Sequence, residues 1–348
     1  MEQVLNLPEG ITVKPLSLRE QKALRGLNKR GLTPQENREA KEMKKKTKDF
    51  AVEFGLDWGV LKTPAFINLK GDWIQTKDYA LVHTKTNDVL NSVKEGYRVS
   101  QNLHIIRLMF MGIKGFGDKI RPVMAGSLNG GRRVYIQLEI IGDAFIGNDT
   151  VKRYVTIVDS NDGSSSLSVG IGDKTMSCSN QFFYFSKNGD VKFRHSASMA
   201  EKMKTIPSLI TFALSQSMRM VELYKEFQST PITRELAHDM VRSQLGYNLN
   251  SKTEDLNELS LRSLRNMNTL YENIYGEMDG DLKNGNEPKG ENLWGLLSGV
   301  TRWTTHDKQA PKRDNGRLES IMIGTNYRSN TKALNFVLKQ SGRAFAKF

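Results

Sequence analysis

The run "GRRVYIQLEIIGD", residues 131–143, alternates cleanly. Val134, Ile136, Leu138 and Ile140 share one face, and Tyr135, Gln137 and Glu139 share the other. A period of two predicts a β-strand. The run "VKRYVTIVDS" follows a Gly147-Asn148 turn signal, and "SSLSVGI" follows Asn161-Asp162-Gly163. Short β-type runs joined by such pairs predict an antiparallel meander. Upstream, "EGYRVSQNLHIIRLMFMGIKGFG" reads as a strand end entering a short helix, with Ser100 as its cap.

Beyond His195 the period changes. Met199, Met203, Ile206, Ile210, Leu214, Met218 (or Val221) and Tyr224 recur every three or four residues, which predicts a long helix. Pro207 should kink it or mark a restart. Thr230-Pro231 should open a second helix, and "TEDLNELSLRSLRNMNTLYENIY" a third, capped by Thr253. A turn-rich gap precedes "LWGLLSGVTRW" and a last helix near 330–340. Strands first and helices afterwards predict an α+β fold, an antiparallel β-meander packed with a C-terminal helical layer. Residues 18–50 read as two charged helices broken by Gly31 and Thr33-Pro34, with too few apolar positions to bury a full face. The expected organisation is a basic helical arm over 1–55, a β-rich core over 56–195 and a helical region over 196–348.

Charge sharpens this division. The 348 residues carry a net +13, and residues 11–50 and 302–348 each contribute +7. The middle, 51–301, is nearly balanced, with 29 basic and 28 acidic residues. Cations concentrated at two ends favour a polyanionic partner, because each neutralised phosphate releases counterions. The start, "MEQVLNLPEGITVKPL", has neither the basic nor the apolar segment of a signal peptide, and no run of about 18 apolar residues exists. A soluble, cytoplasmic chain is expected. The single cysteine, Cys178, excludes an intrachain disulfide and reads as a buried small hydrophobe.

Candidate chemistry lies first in "SNDGSSSLSVGIGDKTMSCSNQ", residues 160–181. A phosphate-binding Walker loop needs glycine before its Lys-Ser/Thr pair, and here Asp173 precedes Lys174-Thr175. The five histidines show no metal-binding spacing and no pairing with Cys178. No cofactor is expected. Asp159, Asp162 and Asp173 leave one enzymatic alternative, a metal-dependent nuclease. Nucleic-acid features are richer. Arg132-Arg133 opens one strand and Lys152-Arg153 the next, so the hairpin is expected to gather four cations. Lys119 and Arg121 precede them, with Phe116 as a stacking group, and Arg194 supplies a further phosphate contact. A basic groove with aromatics suits single strands bound without sequence preference. Trp294 and Trp303 read as core.

Several blocks occur together in a fixed order: "GYRVSQN", "AGSLNGGRRVYIQLEI", "VDSNDGSSSLSVGI", "MSCSNQF", "FRHSASM" and "LWGLLSGVTRWTTHD". This order resembles a phage- and plasmid-borne family of uncharacterised domains. Its marks fall on Asp162-Gly163-Ser164, Cys178 with Asn180, Arg194-His195, and Trp294, Thr301 and His306, across about residues 58–310. The architecture and charge are also similar to phage single-strand annealing proteins. That likeness implies a homo-oligomer, ring or filament, that holds single-stranded DNA in recombination or replication, in the host cytoplasm if phage-encoded. A protein-interaction factor in counter-defence or assembly is the alternative to this reading.

Overall fold

The computed structural model describes residues 34–70, 72–177, 179–185, 192–245, 260–280 and 288–342. The α+β expectation holds. A three-stranded sheet takes the order β1 (Val60–Leu69), β2 (Asp72–His83), β3 (Val89–Val93). A six-stranded sheet runs β4 (Ile120–Leu128), β5 (Arg133–Ile146), β6 (Asp149–Ser160), β7 (Leu167–Thr175) and β8 (Gln181–Tyr184), with the short β9 (Lys192–Phe193) paired to β7. From β4 to β8 neighbours in sequence are neighbours in the sheet, as tight turns dictate, and β9 departs from that order. Among the described residues no helix is long and apolar enough to cross a membrane.

Two compact units divide the chain: Met1–Ile141, Val155–Gly170 and Lys187–Ser215 form the first, and Gly142–Tyr154, Ile171–Ser186 and Gln216–Phe348 the second. The backbone passes between them within β5, β6 and β7 and within one helix. Each unit is therefore assembled from segments far apart in sequence.

In the first unit, helix α1 (Pro34–Glu53) packs against α2 (Asn102–Ile113). The edge of Phe110 meets Phe50 at 5.5 Å and 84°, and Thr47, Phe50 and Ala51 are buried. The arm expected to be exposed is thus anchored at this end, because three buried positions on one face suffice once α2 supplies a partner. Residues 1–33 of that arm, including the proposed Thr33 cap, lie outside the described residues. Ile105 and Ile106 of α2 line one small cavity together with Val134, Ile136 and Ile157 of the sheet. Over residues 134–139 both faces of β5 are buried, so the alternation that marks the strand does not mark a solvent face. Trp58 stacks on His83 at 3.9 Å beneath Gly131, whose φ is +84°. A β-carbon there would sit 2.8 Å from the His83 ring, so the turn requires glycine for both space and backbone.

Helix α3 (Met199–Met203) stops short, and α4 (Ile206–Ser229) restarts with Pro207 in its first turn, where the missing N–H costs nothing. The second unit holds α5 (Arg234–Leu245), α6 (Leu261–Asp279), α7 (Leu293–Arg302), α8 (Gly316–Met322) and α9 (Thr325–Gln340). Two expected starts differ. Pro231 forms an isolated bridge with Asn292, so α5 begins at Arg234. Ser260 caps α6, its Oγ accepting from the Ser263 N–H, and Thr253 lies outside the described residues.

Gly295 and Gly299 sit one turn apart on α7, against α6 and the segment that follows it. A β-carbon on Gly299 would lie 2.4 Å from the Ile274 Cα, and one on Gly295 2.5 Å from the Gly290 carbonyl oxygen. These obstacles are backbone and cannot rotate away. Gly299→Ala is expected to lose about 1–3 kcal/mol through forced separation of the helices. Urea unfolding of the variant against the parent checks this; an unchanged midpoint would mean that the pair does not pack this closely.

Candidate nucleic-acid interface

The seven cations selected from sequence do not form one groove. Antiparallel pairing sets the start of β5 beside the end of β6, as the 2.8 Å bond from Asn161 N–H to the Arg132 carbonyl records. Arg153 instead donates from Nη2 to the Gly142 carbonyl, also at 2.8 Å, nine residues along β5 from Arg133. The hairpin therefore separates Arg132-Arg133 from Lys152-Arg153. Two strand starts in an antiparallel hairpin lie at opposite ends, and the sequence expectation overlooked this.

Several of these cations already serve the fold. Arg121 pairs across strands with Glu139 and donates to its Oε2 from Nε (2.9 Å) and Nη2 (2.7 Å). It compensates a buried carboxylate. Arg133 donates from Nη2 to Ser164 Oγ at 2.7 Å. Burial lowers the pKa of Arg153, while Asp173 and Asp143 oppose that effect. Lys152 is half-buried beside it in sequence, whereas Lys119, Arg132 and Arg194 are exposed.

The more continuous basic surface is one the sequence reading left off its list. On α1, Lys41, Lys44, Lys45 and Lys48 are exposed and recur at three- and four-residue spacing. At 100° per residue they occupy one arc of the helix, bordering on its Ala51 side the arc that holds buried Thr47, Phe50 and Ala51. Glu39, Glu42 and Asp49 project along a different arc, and Glu39 is paired with Lys114 at 3.2 Å. The three- and four-residue lysine spacing was available in the sequence. What hid it was the reading of this segment as an arm without a fixed buried face.

Of the blocks that carry the family resemblance, "MSCSNQF" and "LWGLLSGVTRWTTHD" lie in the second unit and the others almost wholly in the first, where their polar side chains hold the fold. Asp159 accepts from Ser100 Oγ and lies 3.1 Å from His195 Nε2, a close ion contact that lacks hydrogen-bond alignment. His195 Nδ1 faces the Arg98 carbonyl at 3.0 Å, and its ring stacks on Tyr97 at 4.8 Å. Burial pulls the His195 pKa down, but bonding and attraction from Asp159, with the Arg98 carbonyl and Asp162 adding to it, hold it above 6.5. The result is a buried His195–Asp159 contact in which the carboxylate side favours the protonated ring. Ser100 is thus no helix cap; Gln101 takes the capping position and clamps Val60 instead, through Oε1 (3.1 Å) and Nε2 (2.9 Å).

Asp162 closes the turn after β6. Its Oδ1 accepts from Ser160 Oγ at 2.6 Å and from the Ser164 backbone N–H at 2.9 Å. Burial would raise this carboxyl, but the Ser160 and Ser164 bonds and the charge of Arg133 hold it below its ordinary value. Gly163 follows at φ +72°, as a tight reversal needs. In the second unit Asp173 is buried and accepts from Tyr224 Oη at 2.8 Å. The three aspartates considered for a nuclease thus divide between units, each with its own protein partners. Among the described residues no three His, Cys, Asp or Glu side chains are grouped to hold a metal ion. Lys174-Thr175 ends a strand and opens no helix. Cys178 lies outside the described residues.

The terminal block is core. Trp294 and Trp303 are buried, and Trp294 Nε1 donates to Asp149 Oδ2 at 2.8 Å. Asn180 Nδ2 donates to the Ser298 carbonyl at 3.2 Å, and Thr305 Oγ1 accepts from the Gln181 N–H at 3.1 Å.

With this arrangement in view, the comparison with known families is decisive on one point. A family model, the domain of unknown function DUF932, matches residues 89–334, about seven-tenths of the chain. The chain belongs to the DUF932 family. The DUF932 match takes in the motif blocks from "GYRVSQN" to "LWGLLSGVTRWTTHD" and leaves α1, with its lysine stripe, outside. Neither the curated proteins nor the solved structures contain a match to this chain.

Proposed function

We propose that this DUF932 protein binds nucleic acid, single-stranded DNA above all, as a non-catalytic factor in phage or mobile-element recombination or replication. The observation that carries the reading is the lysine stripe Lys41, Lys44, Lys45 and Lys48 on an anchored helix. Cations at this spacing follow a phosphate backbone without reading bases. Exposed Lys119, Arg132 and Arg194 add to the positive field of the same unit. The net charge of +13 points the same way. Phage or plasmid origin and action in the cytoplasm follow from the resemblance carried by the motif blocks.

Self-association belongs to the same reading. Toward the end of the β1–β2 ribbon, Phe66, Ile67, Leu69 and Ile74 are each roughly half exposed, an apolar stretch that a second copy would cover. Gel shift with single- and double-stranded oligonucleotides across salt tests the function. The reading expects retention at low salt, stronger for the single strand, and loss as salt rises. No shift at low salt with either strand would end it.

A further inference from the structure

Lys308 leaves the π-helical turn Trp303–Asp307 in extended conformation and folds back over the Trp303 ring, its Nζ 4.7 Å from the ring centroid. There the ammonium donates to Ser329 Oγ on α9. Arg328 precedes that serine and Lys332 lies one turn beyond Arg328, both exposed. The Lys308 segment is braced from behind, because Arg317 Nη1 donates to the Thr305 (3.0 Å) and Lys308 (3.1 Å) carbonyls. Of the acids nearest in sequence, Asp307 and Asp314 are exposed, and Glu319 accepts from Arg313. Burial, then the positive charges of Arg328 and Lys332, bring the Lys308 pKa down to about 8. A half-buried ammonium held between an aromatic face and a hydroxyl, with two further cations facing it, is an arrangement that an anion relieves.

We infer that Lys308, Ser329, Arg328 and Lys332 form a phosphate-binding site that takes a backbone phosphate of the bound strand. This inference rests on the nucleic-acid reading above and adds a second contact region, in the unit that the lysine stripe does not belong to. Planar Arg328 would grip the phosphate oxygens in pairs, Lys308 would supply a fixed charge and Trp303 a floor.

The test uses the full chain, the Arg328→Gln/Lys332→Gln double variant and Lys308→Met. Both positions of the double variant are exposed, and because Lys332 also donates to the Ser243 carbonyl, the thermal midpoint in chloride reports any structural cost of its replacement. Affinity for a single-stranded oligonucleotide is measured against salt, and thermal midpoints are measured with inorganic phosphate against chloride at matched ionic strength. The site predicts about a tenfold or greater loss of oligonucleotide affinity in the double variant. It also predicts a salt slope shallower by about 1.4, two contacts at about 0.7 each. Phosphate should raise the midpoint of the parent and not of either variant. Oligonucleotide binding by the parent with unchanged affinity and slope in the double variant would overturn the site and leave the function standing. If the parent binds no oligonucleotide, the functional reading fails instead. The phosphate arm then decides the site alone: a variant-sensitive shift supports it, and no shift overturns it.

Discussion

Replacing Lys289 by methionine is expected to cost the second unit about 3–5 kcal/mol, the largest stability loss in this account. The Lys289 side chain is 4% exposed and sits between Asp149 at 2.7 Å and Glu277 at 3.2 Å, carboxylates that are themselves 7% and 0% exposed. Arg302 reaches the other oxygen of Glu277 at 3.2 Å. Removing the ammonium leaves two buried acids with one guanidinium, and burial of an uncompensated charge is what makes such deletions severe. Urea unfolding followed through tryptophan fluorescence provides the measurement, since Trp294 donates to the same Asp149. Removing the excess acid as well, with Lys289→Met and Asp149→Asn together, should recover much of the loss, because Glu277 then stays paired with Arg302. A single-variant loss below about 1 kcal/mol would show that water reaches the pair.

The second large effect depends on pH and has the opposite sign. Burial pushes the Asp173 carboxyl up to about 7 from 3.8, against the hydrogen bond from Tyr224 and the charge of Arg153, both of which favour its ionised form. An unfolded chain releases this proton near 3.8, while the folded chain keeps it until about 7. Between those values the folded state binds more protons, so the group's contribution to stability falls as pH rises, and it is flat above the folded value. Asp173→Asn removes the titration and keeps an acceptor for Tyr224. The variant should match the parent near pH 4 and exceed it at pH 8 by up to about 4 kcal/mol, from about three units at 1.36 kcal/mol each. Unfolding free energies of both proteins across that range check the sign. A difference that stays constant with pH would show that Asp173 ionises normally.

Local pattern carried the meander and failed where partners are distant. Val134 to Ile140, the Gly147-Asn148 turn and Asp162-Gly163 declare strands and reversals through rules that act within a few residues. Trp294, Trp303, Met199, Met203 and Val221 are core for the same reason, since their spacing defines a face, whereas Met218, the other choice at the Val221 step, is 41% exposed. Ser100 looked like a cap because caps are local, and its actual partner, Asp159, is 59 residues away. Phe50 needed Phe110 before the basic arm acquired a buried side, and without that side the lysine stripe had no defined outward face. Arg121 and Arg133 looked available because Glu139 and Ser164 become their neighbours only through strand pairing. Lys308 and Arg328 are 20 residues apart, and only the packing of α9 joins them.

The most direct test of the functional account is the salt dependence of single-stranded DNA binding, read by fluorescence anisotropy. The parent is compared with a variant carrying glutamine at Lys41, Lys44, Lys45 and Lys48. Glutamine preserves helix propensity and removes only the charge of exposed positions. The account predicts a steep loss of parent affinity between about 50 and 200 mM salt. It also predicts a log–log slope shallower by about 3 in the variant, four contacts at about 0.7 each. Absence of binding by the parent at low salt, or identical slopes for the two proteins, would contradict it.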